Sequence, residues 1–184
     1  MQSRSLIESV ERDIIDILIK TINFMNAGDL IKRVVRREDS KVIIRGRYRF
    51  KVGSRNRLYV IGFGKASGAM AEAIEELLTD MITEGFVIIP RGLKRRYHTR
   101  RIKLYEAIHP LPSEANITSA MKVLDIVREA GKDDIIIALI SGGGSSLLTL
   151  PRPGITLDDV RIITELLMKA GGFSRLKLSR VYLK

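Results

Sequence analysis

Apolar residues recur at Leu6, Val10, Ile14, Ile17, Leu18 and Ile22, the spacing of one side of an α-helix, so a helix is predicted over residues 5–24. Gly28 breaks that pattern, and residues 29–37 read as a short basic helix. Residues 41–51 alternate around Val42, Ile44 and Tyr48 and read as one ragged strand. The pattern then changes. Residues 58–63 (LYVIGF), 85–90 (GFVIIP), 103–108 and 134–140 (DIIIALI) are short apolar runs of the kind shown by buried strands. Helical stretches lie between them. One covers 65–79, with Ala66, Met70, Ala73, Ile74 and Leu77 on one face; another covers 114–130, opened by Ser113 and closed by Gly131. A last one is opened by Thr156 with Asp158 and Asp159 in its first turn, and ended by Gly171-Gly172. His109-Pro110-Leu111-Pro112 is extended, because proline pushes its predecessor out of helical geometry. Residues 141–146 (SGGGSS) read as a turn.

Strands alternating with helices predict an α/β fold: a largely parallel, Rossmann-like sheet flanked by helices, with right-handed crossovers and an N-terminal helix. The 184 residues fit one domain, and 45% hydrophobic content with mean hydropathy +0.05 is enough for a packed core. Zero Cys excludes disulfides, thiol catalysis and thiolate metal sites, and only His98 and His109 are present, which argues against a His-rich metal centre. The longest purely apolar run, 135–140, is far short of the roughly 18 residues of a membrane span, and the acidic N-terminal segment does not read as a signal peptide. A soluble, cytoplasmic protein is expected. With 25 Ile, one Gln, four Asn and 29% charged residues, the composition leans towards a thermophile.

The net charge of +11 is concentrated: residues 32–57 carry +9, residues 91–103 +7 and residues 173–184 +4, leaving −9 for the rest. Such blocks suit phosphate neutralisation in a nucleic-acid binder. Aromatics are only 5%, Trp is absent and no base-reading motif accompanies the blocks, so a nucleic-acid partner is disfavoured. Solvated strand edges, or a surface for small anions, remain as readings.

Three segments carry candidate chemistry. Gly62-Phe63-Gly64-Lys65-Ala66-Ser67-Gly68 follows a buried strand and opens a helix, so free amides, a positive dipole end and the Lys65 ammonium could meet an anion. Its glycine spacing is one residue longer than the dinucleotide fingerprint, and it is not a Walker A loop. Ser141-Gly142-Gly143-Gly144-Ser145-Ser146 follows the most apolar strand; consecutive N–H groups and hydroxyls there make an anion nest. Prolines fix His109 at a strand end, where an imidazole could contact a ligand.

Taken in order, GFGKASGAMAEAIEELL, the His-Pro-Leu-Pro segment, the Ser-Gly-Gly-Gly-Ser loop and the Pro-x-x-Gly-Ile-Thr-Leu turn resemble the N-terminal domain of the glycerate 2-kinase family over about residues 7–171. The resemblance implies ATP- and Mg²⁺-dependent phosphorylation of D-glycerate at its 2-hydroxyl, giving 2-phosphoglycerate. It implies that Lys65 is catalytic, that Gly62, Gly64, Ser67 and Ser141 to Ser146 bind substrate or phosphate, and that His109 lines the cleft, with no protein-held metal. Members of the family continue into a second domain. Residues 1–172 fit the first domain; 173–184 diverge as a basic tail, which suggests a frameshift or truncation and a separately encoded C-terminal domain as partner. The alternatives are an NAD(P)-dependent reductase of hydroxypyruvate-like substrates, with Glu84 as the acid on the ribose, and a basic nucleic-acid-binding domain.

Overall fold

The computed structural model describes the backbone of residues 2–170 and side chains from residue 8; the expected helix end at Gly171-Gly172 and the tail 173–184 lie outside the described residues. The chain begins with α1 (Gln2–Phe24) and α2 (Ala27–Val34), followed by a three-stranded antiparallel sheet of β1 (Val35–Glu38), β2 (Lys41–Ile44) and β3 (Tyr48–Lys51). Next come β4 (Leu58–Phe63), α3 (Ser67–Leu78), β5 (Ile82–Pro90), β6 (Ile102–Ala107), α4 (Glu114–Glu129) and β7 (Ile135–Ile140). A one-turn helix, α5 (Gly144–Leu147), and α6 (Leu157–Lys169) complete it. No helix among the described residues is long and apolar enough to cross a membrane.

The four apolar runs form one parallel sheet in the order β6-β5-β4-β7. From β4 the chain steps through β5 to β6, and α4 then carries it back to the far side of β4. Strand order therefore reverses between β4 and β7, and α/β sheets hold ligands in the crevice outside the carboxyl ends of strands at such a reversal. Alternate residues feed two cores. Leu58, Val60, Val87 and Ile89 pack with Ile74 and Leu78 on one face. Tyr59, Ile61, Phe86 and Ile88 pack with Val123, Ile126 and Leu147 on the other. Burial on both faces is why the central strands β4 and β5 read as continuous apolar runs.

The sheet's two edges differ. β6 presents Lys103, Tyr105 and Glu106, charge that discourages further pairing, whereas β7 is wholly apolar and leaves Ile140 56% exposed. At the amino end of the strands, Arg57 donates its N–H to Asp134 Oδ1 (2.6 Å) and pairs with Glu129 (3.0 Å), fastening the start of β7 to β4. The N–H groups of Gly131 and then of Arg57 hold the Asp134 carboxyl below its ordinary range.

Two expectations change. The basic stretch 29–37 is split: Asn26 Oδ1 accepts the N–H groups of Gly28 and Asp29 (2.9 and 3.2 Å), so α2 starts earlier, and Val35 begins a strand. Gly28 lies inside α2, where a Cβ would come within 3.3 Å of Ala69 O on α3. The ragged strand 41–51 is a hairpin, because Arg45 (φ +54°) and Gly46 (φ +67°) turn the chain. The helix predicted at the N-terminus is present, but Val10, Ile14, Ile17, Leu18 and Ile22 are 48–69% exposed.

Candidate active site

β4 and β7 deliver their loops to the reversal point, and glycines let the two loops close on each other. Gly64 sits at φ +132°, and a Cβ there would lie 2.2 Å from Ser141 Oγ and 2.7 Å from Ser141 O. A Cβ on Gly62 would lie 3.0 Å from Leu139 Cβ. The loops are then laced together: Lys65 N–H donates to Gly142 O (2.8 Å), Ala66 N–H to Ser141 Oγ (3.0 Å) and Ser141 N–H to Phe63 O (3.2 Å). The amides of Lys65 and Ala66, which the sequence offered to an anion, are thus engaged by the neighbouring loop. Ser67 stands apart from the crevice: it is fully buried, with Oγ 2.8 Å from both Gly64 O and Ile88 O, so its hydroxyl ties the helix start to β5.

Gly143, at φ +85°, lies where the other candidates converge. A Cβ there would be 2.8 Å from His109 Nε2 and 3.3 Å from Lys65 Cγ. The backbone N–H groups of Gly142 through Ser146 have no acceptor among the described residues. Gly142 and Ser145 are exposed, Ser146 Oγ donates to Gly143 O (3.1 Å), and Gly144 packs closely on the Phe63 ring. The predicted turn therefore runs directly into a helical turn at Gly144. Lys65 is exposed, and the lysine ion pairs of the described residues belong to Lys20, Lys32 and Lys103, leaving its ammonium unpaired.

His109 follows β6 through a cis peptide to Pro110 and is half-buried. Burial, and secondarily the charge of Lys65, lower its pKa, so the imidazole is neutral at pH 7. An NMR titration is expected to place its midpoint below the ordinary imidazole value, and Lys65→Met should raise it only partway, since burial is the larger cause. The unfolded chain takes up this proton before the folded one does, so the contribution of His109 to stability falls as pH drops below the ordinary value. A midpoint above that value would contradict the geometry.

Sequence reasoning missed Asn116. It is fully buried in the first turn of α4. Its Oδ1 accepts the N–H groups of Ile108 (3.1 Å) and Ser113 (2.9 Å), and its Nδ2 donates to Ile108 O and Ser146 O, both at 2.8 Å. One side chain thus joins the His109 segment to the Ser141–Ser146 loop. The available signal was an amide in the first turn of a helix directly after Pro-x-Pro-Ser. Asn116→Ala is expected to destabilise the fold by about 3 kcal/mol, because several buried partners lose their hydrogen bonds at once; urea unfolding measures this, and a change below about 0.5 kcal/mol would refute it.

Glu84 corrects the reductase alternative. It lies in the amino half of β5, opposite Tyr59 and ion-paired with Lys103 at 3.1 Å. An acid that holds a ribose must stand at the carboxyl end of that strand, which Ile88, Ile89 and Pro90 occupy. No group of three or more His, Cys, Asp or Glu that could hold a metal ion lies among the described residues, in keeping with a Mg²⁺ held chiefly by nucleotide phosphates rather than by a dedicated protein cage.

A family model described as "Domain of unknown function (DUF4147)" matches residues 13–173. The chain is 37% identical over 162 residues to the glycerate 2-kinase of Pyrococcus horikoshii, covering 83% of this chain and 35% of that protein. It is 42% identical over 115 residues to an Agrobacterium vitis protein named as a hydroxypyruvate reductase, covering 62% of this chain and 29% of that one. Among solved structures, a P. horikoshii protein superposes with TM-score 0.75 at 34% identity, over 88% of this chain and 36% of that one. Glycerate kinase from Thermotoga maritima superposes with TM-score 0.69 at 29% identity, over 89% and 36%. The chain spans about a third of the length of these relatives.

Proposed function

The chain belongs to the DUF4147 family, and from that premise we propose that it forms one wall of the active site of a glycerate 2-kinase. The remaining length of its relatives would supply the opposite wall. The observation that carries this reading is the convergence of Lys65 and His109 on Gly143 at the strand-order reversal, beside a run of free amides. ATP supplies the phosphoryl group. The 2-hydroxyl oxygen of D-glycerate bonds to the γ-phosphorus, the bond from that phosphorus to the bridging oxygen breaks, and ADP leaves. Lys65 neutralises the charge on the transferring group or on the glycerate carboxylate, and the amides of residues 142–146 receive phosphoryl oxygens. Neutral His109 accepts a hydrogen bond from the hydroxyl, and its proton leaves through that contact. Positioning and electrostatics of this kind supply most of the catalysis in phosphoryl transfer. Mg²⁺ would arrive on the phosphates of ATP and neutralise part of their charge.

The test is D-glycerate-dependent ADP formation with product identification by ³¹P NMR, run beside hydroxypyruvate-dependent NADH oxidation. Formation of 2-phosphoglycerate supports the reading. NADH oxidation without ADP formation would replace it with the reductase that the A. vitis relatives' name suggests.

A further inference from the structure

The basic run at 91–103, which the crevice as described does not use, has its own geometry. It leaves the carboxyl end of β5 at Pro90 and descends along α3 to the start of β6, replacing the usual crossover helix with a loop and a single 3-10 turn at Lys94–Arg96. Its backbone is pinned throughout. Arg91 N–H donates to Ala107 O (3.0 Å), Lys94 N–H to Glu106 Oε1 (2.8 Å) and His98 N–H to Glu72 Oε1 (2.7 Å). Lower down, the N–H groups of Arg100, Arg101 and Ile102 converge on Glu75, a carboxylate only 5% exposed. The Tyr97 ring is seated on the first turn of α3, where a Cβ on Gly68 would lie 2.3 Å from Cε2. The third glycine of the Gly62-x-Gly64-x-x-x-Gly68 pattern therefore makes room for Tyr97.

Glu84 pairs with Lys103 at the end of the run, but the acids beside its first half bind backbone rather than cations. The side chains of Arg91, Lys94, Arg95 and Arg96 are exposed and make no ion pair or hydrogen bond among the described residues. Four like charges within six residues, held on a pinned backbone, repel one another unless an anion lies among them. All four stand near the carboxyl ends of the strands, as does Lys65. Neighbouring strands are about 4.8 Å apart, so the ends of β5 and β6 lie roughly 5 and 10 Å from that of β4. Gly68, under Tyr97, is less than one helical turn, about 5.4 Å of rise, from Lys65. An anion that reaches the cations from Lys65 must be extended and multiply charged.

We propose that Arg91, Lys94, Arg95 and Arg96 form a polyphosphate subsite that holds the phosphate chain of the nucleoside triphosphate, on the side of the crevice away from β7. The identification of the ligand rests on the kinase reading. The subsite would be selective for charge and length and indifferent to the base.

Calorimetric titration of the purified chain with ATP, tripolyphosphate, AMP and D-glycerate tests this, using the variant K94A/R95A/R96A and the charge-preserving R95K/R96K. All three side chains are exposed, so thermal midpoints should match the wild type. The wild type is expected to bind ATP and tripolyphosphate, with affinity falling as salt rises and AMP binding weakest. The alanine variant should lose about tenfold or more in affinity for both polyphosphates, R95K/R96K should retain most of it, and D-glycerate affinity should be unchanged. Equal ATP affinity in the alanine variant and the wild type overturns the subsite, as does a wild type that binds neither polyphosphate. Duplex DNA bound more tightly than ATP at equal salt, and lost in the same variant, overturns it in favour of a nucleic-acid surface. Loss of D-glycerate binding alone would remove the kinase reading and leave the polyphosphate result standing.

Discussion

Changing Lys65 to methionine is expected to lower D-glycerate-dependent ADP formation by about 10²–10³-fold and to leave the thermal midpoint in place. The second half follows from the structure: the side chain is exposed, unpaired with any carboxylate among the described residues, and the Lys65 atom that a Cβ on Gly143 would meet is Cγ (3.3 Å), part of the aliphatic stem that methionine keeps. The first half follows from the position. An ammonium beside free amides in a crevice acts where charge develops and contributes little elsewhere. The same substitution should weaken D-glycerate binding in a calorimetric titration, so the residue can be read without turnover. Lys65→Arg is expected to recover little, because a planar fork cannot replace a compact point charge against Gly143. Turnover and D-glycerate affinity both equal to wild type would remove Lys65 from the machinery.

Gly64→Ala is expected to destabilise the protein by about 2–5 kcal/mol, combining roughly 1–2 kcal/mol for a side chain at positive φ with about 1–3 kcal/mol for forcing atoms into a packed site. The contact is backbone as well as side chain, 2.7 Å to Ser141 O, so no rotamer change relieves it. Gly142→Ala is the matched comparison. A Cβ there meets nothing within 4 Å, and stability should change by no more than about 0.5 kcal/mol. Urea unfolding of both variants decides the matter: equal, small effects would mean that the two loops are not laced as described.

What the sequence disclosed tracks the range of the interactions concerned. LYVIGF was readable as a strand because burial on both faces imprints itself on nearly every residue, DIIIALI because it is an unbroken apolar run although it lies at the sheet edge, and Thr156 was readable as a cap because the cap is local: its N–H and hydroxyl meet Asp159 at 2.9 and 2.6 Å. The hairpin at Arg45-Gly46-Arg47 was hidden because its turn carries arginine where Asn or Asp would have announced it. Strand order left no local trace, so the pairing of β4 with β7, which brings Lys65 to Gly143, could not be read. Nor could the fate of the Lys65 and Ala66 amides, since Ser141, which occupies the second of them, is 75 residues away. Asn116 and Glu75 were passed over for a related reason: polar residues in helices ordinarily face water, and only the fold turns these two inward onto backbone from distant segments.

The contrast between the edges of the main sheet gives it a direction of growth. At the β6 side, an incoming strand would have to desolvate Lys103 and Glu106. At the β7 side it would meet only isoleucine, alanine and leucine, with one row of main-chain groups unpaired in the sheet of the described residues. A parallel strand that joined there would end level with Ser141, so whatever followed it would reach the crevice without any rearrangement of the existing loops. New specificity could be acquired by addition at that side while the Lys65–His109–Asn116 framework stayed untouched.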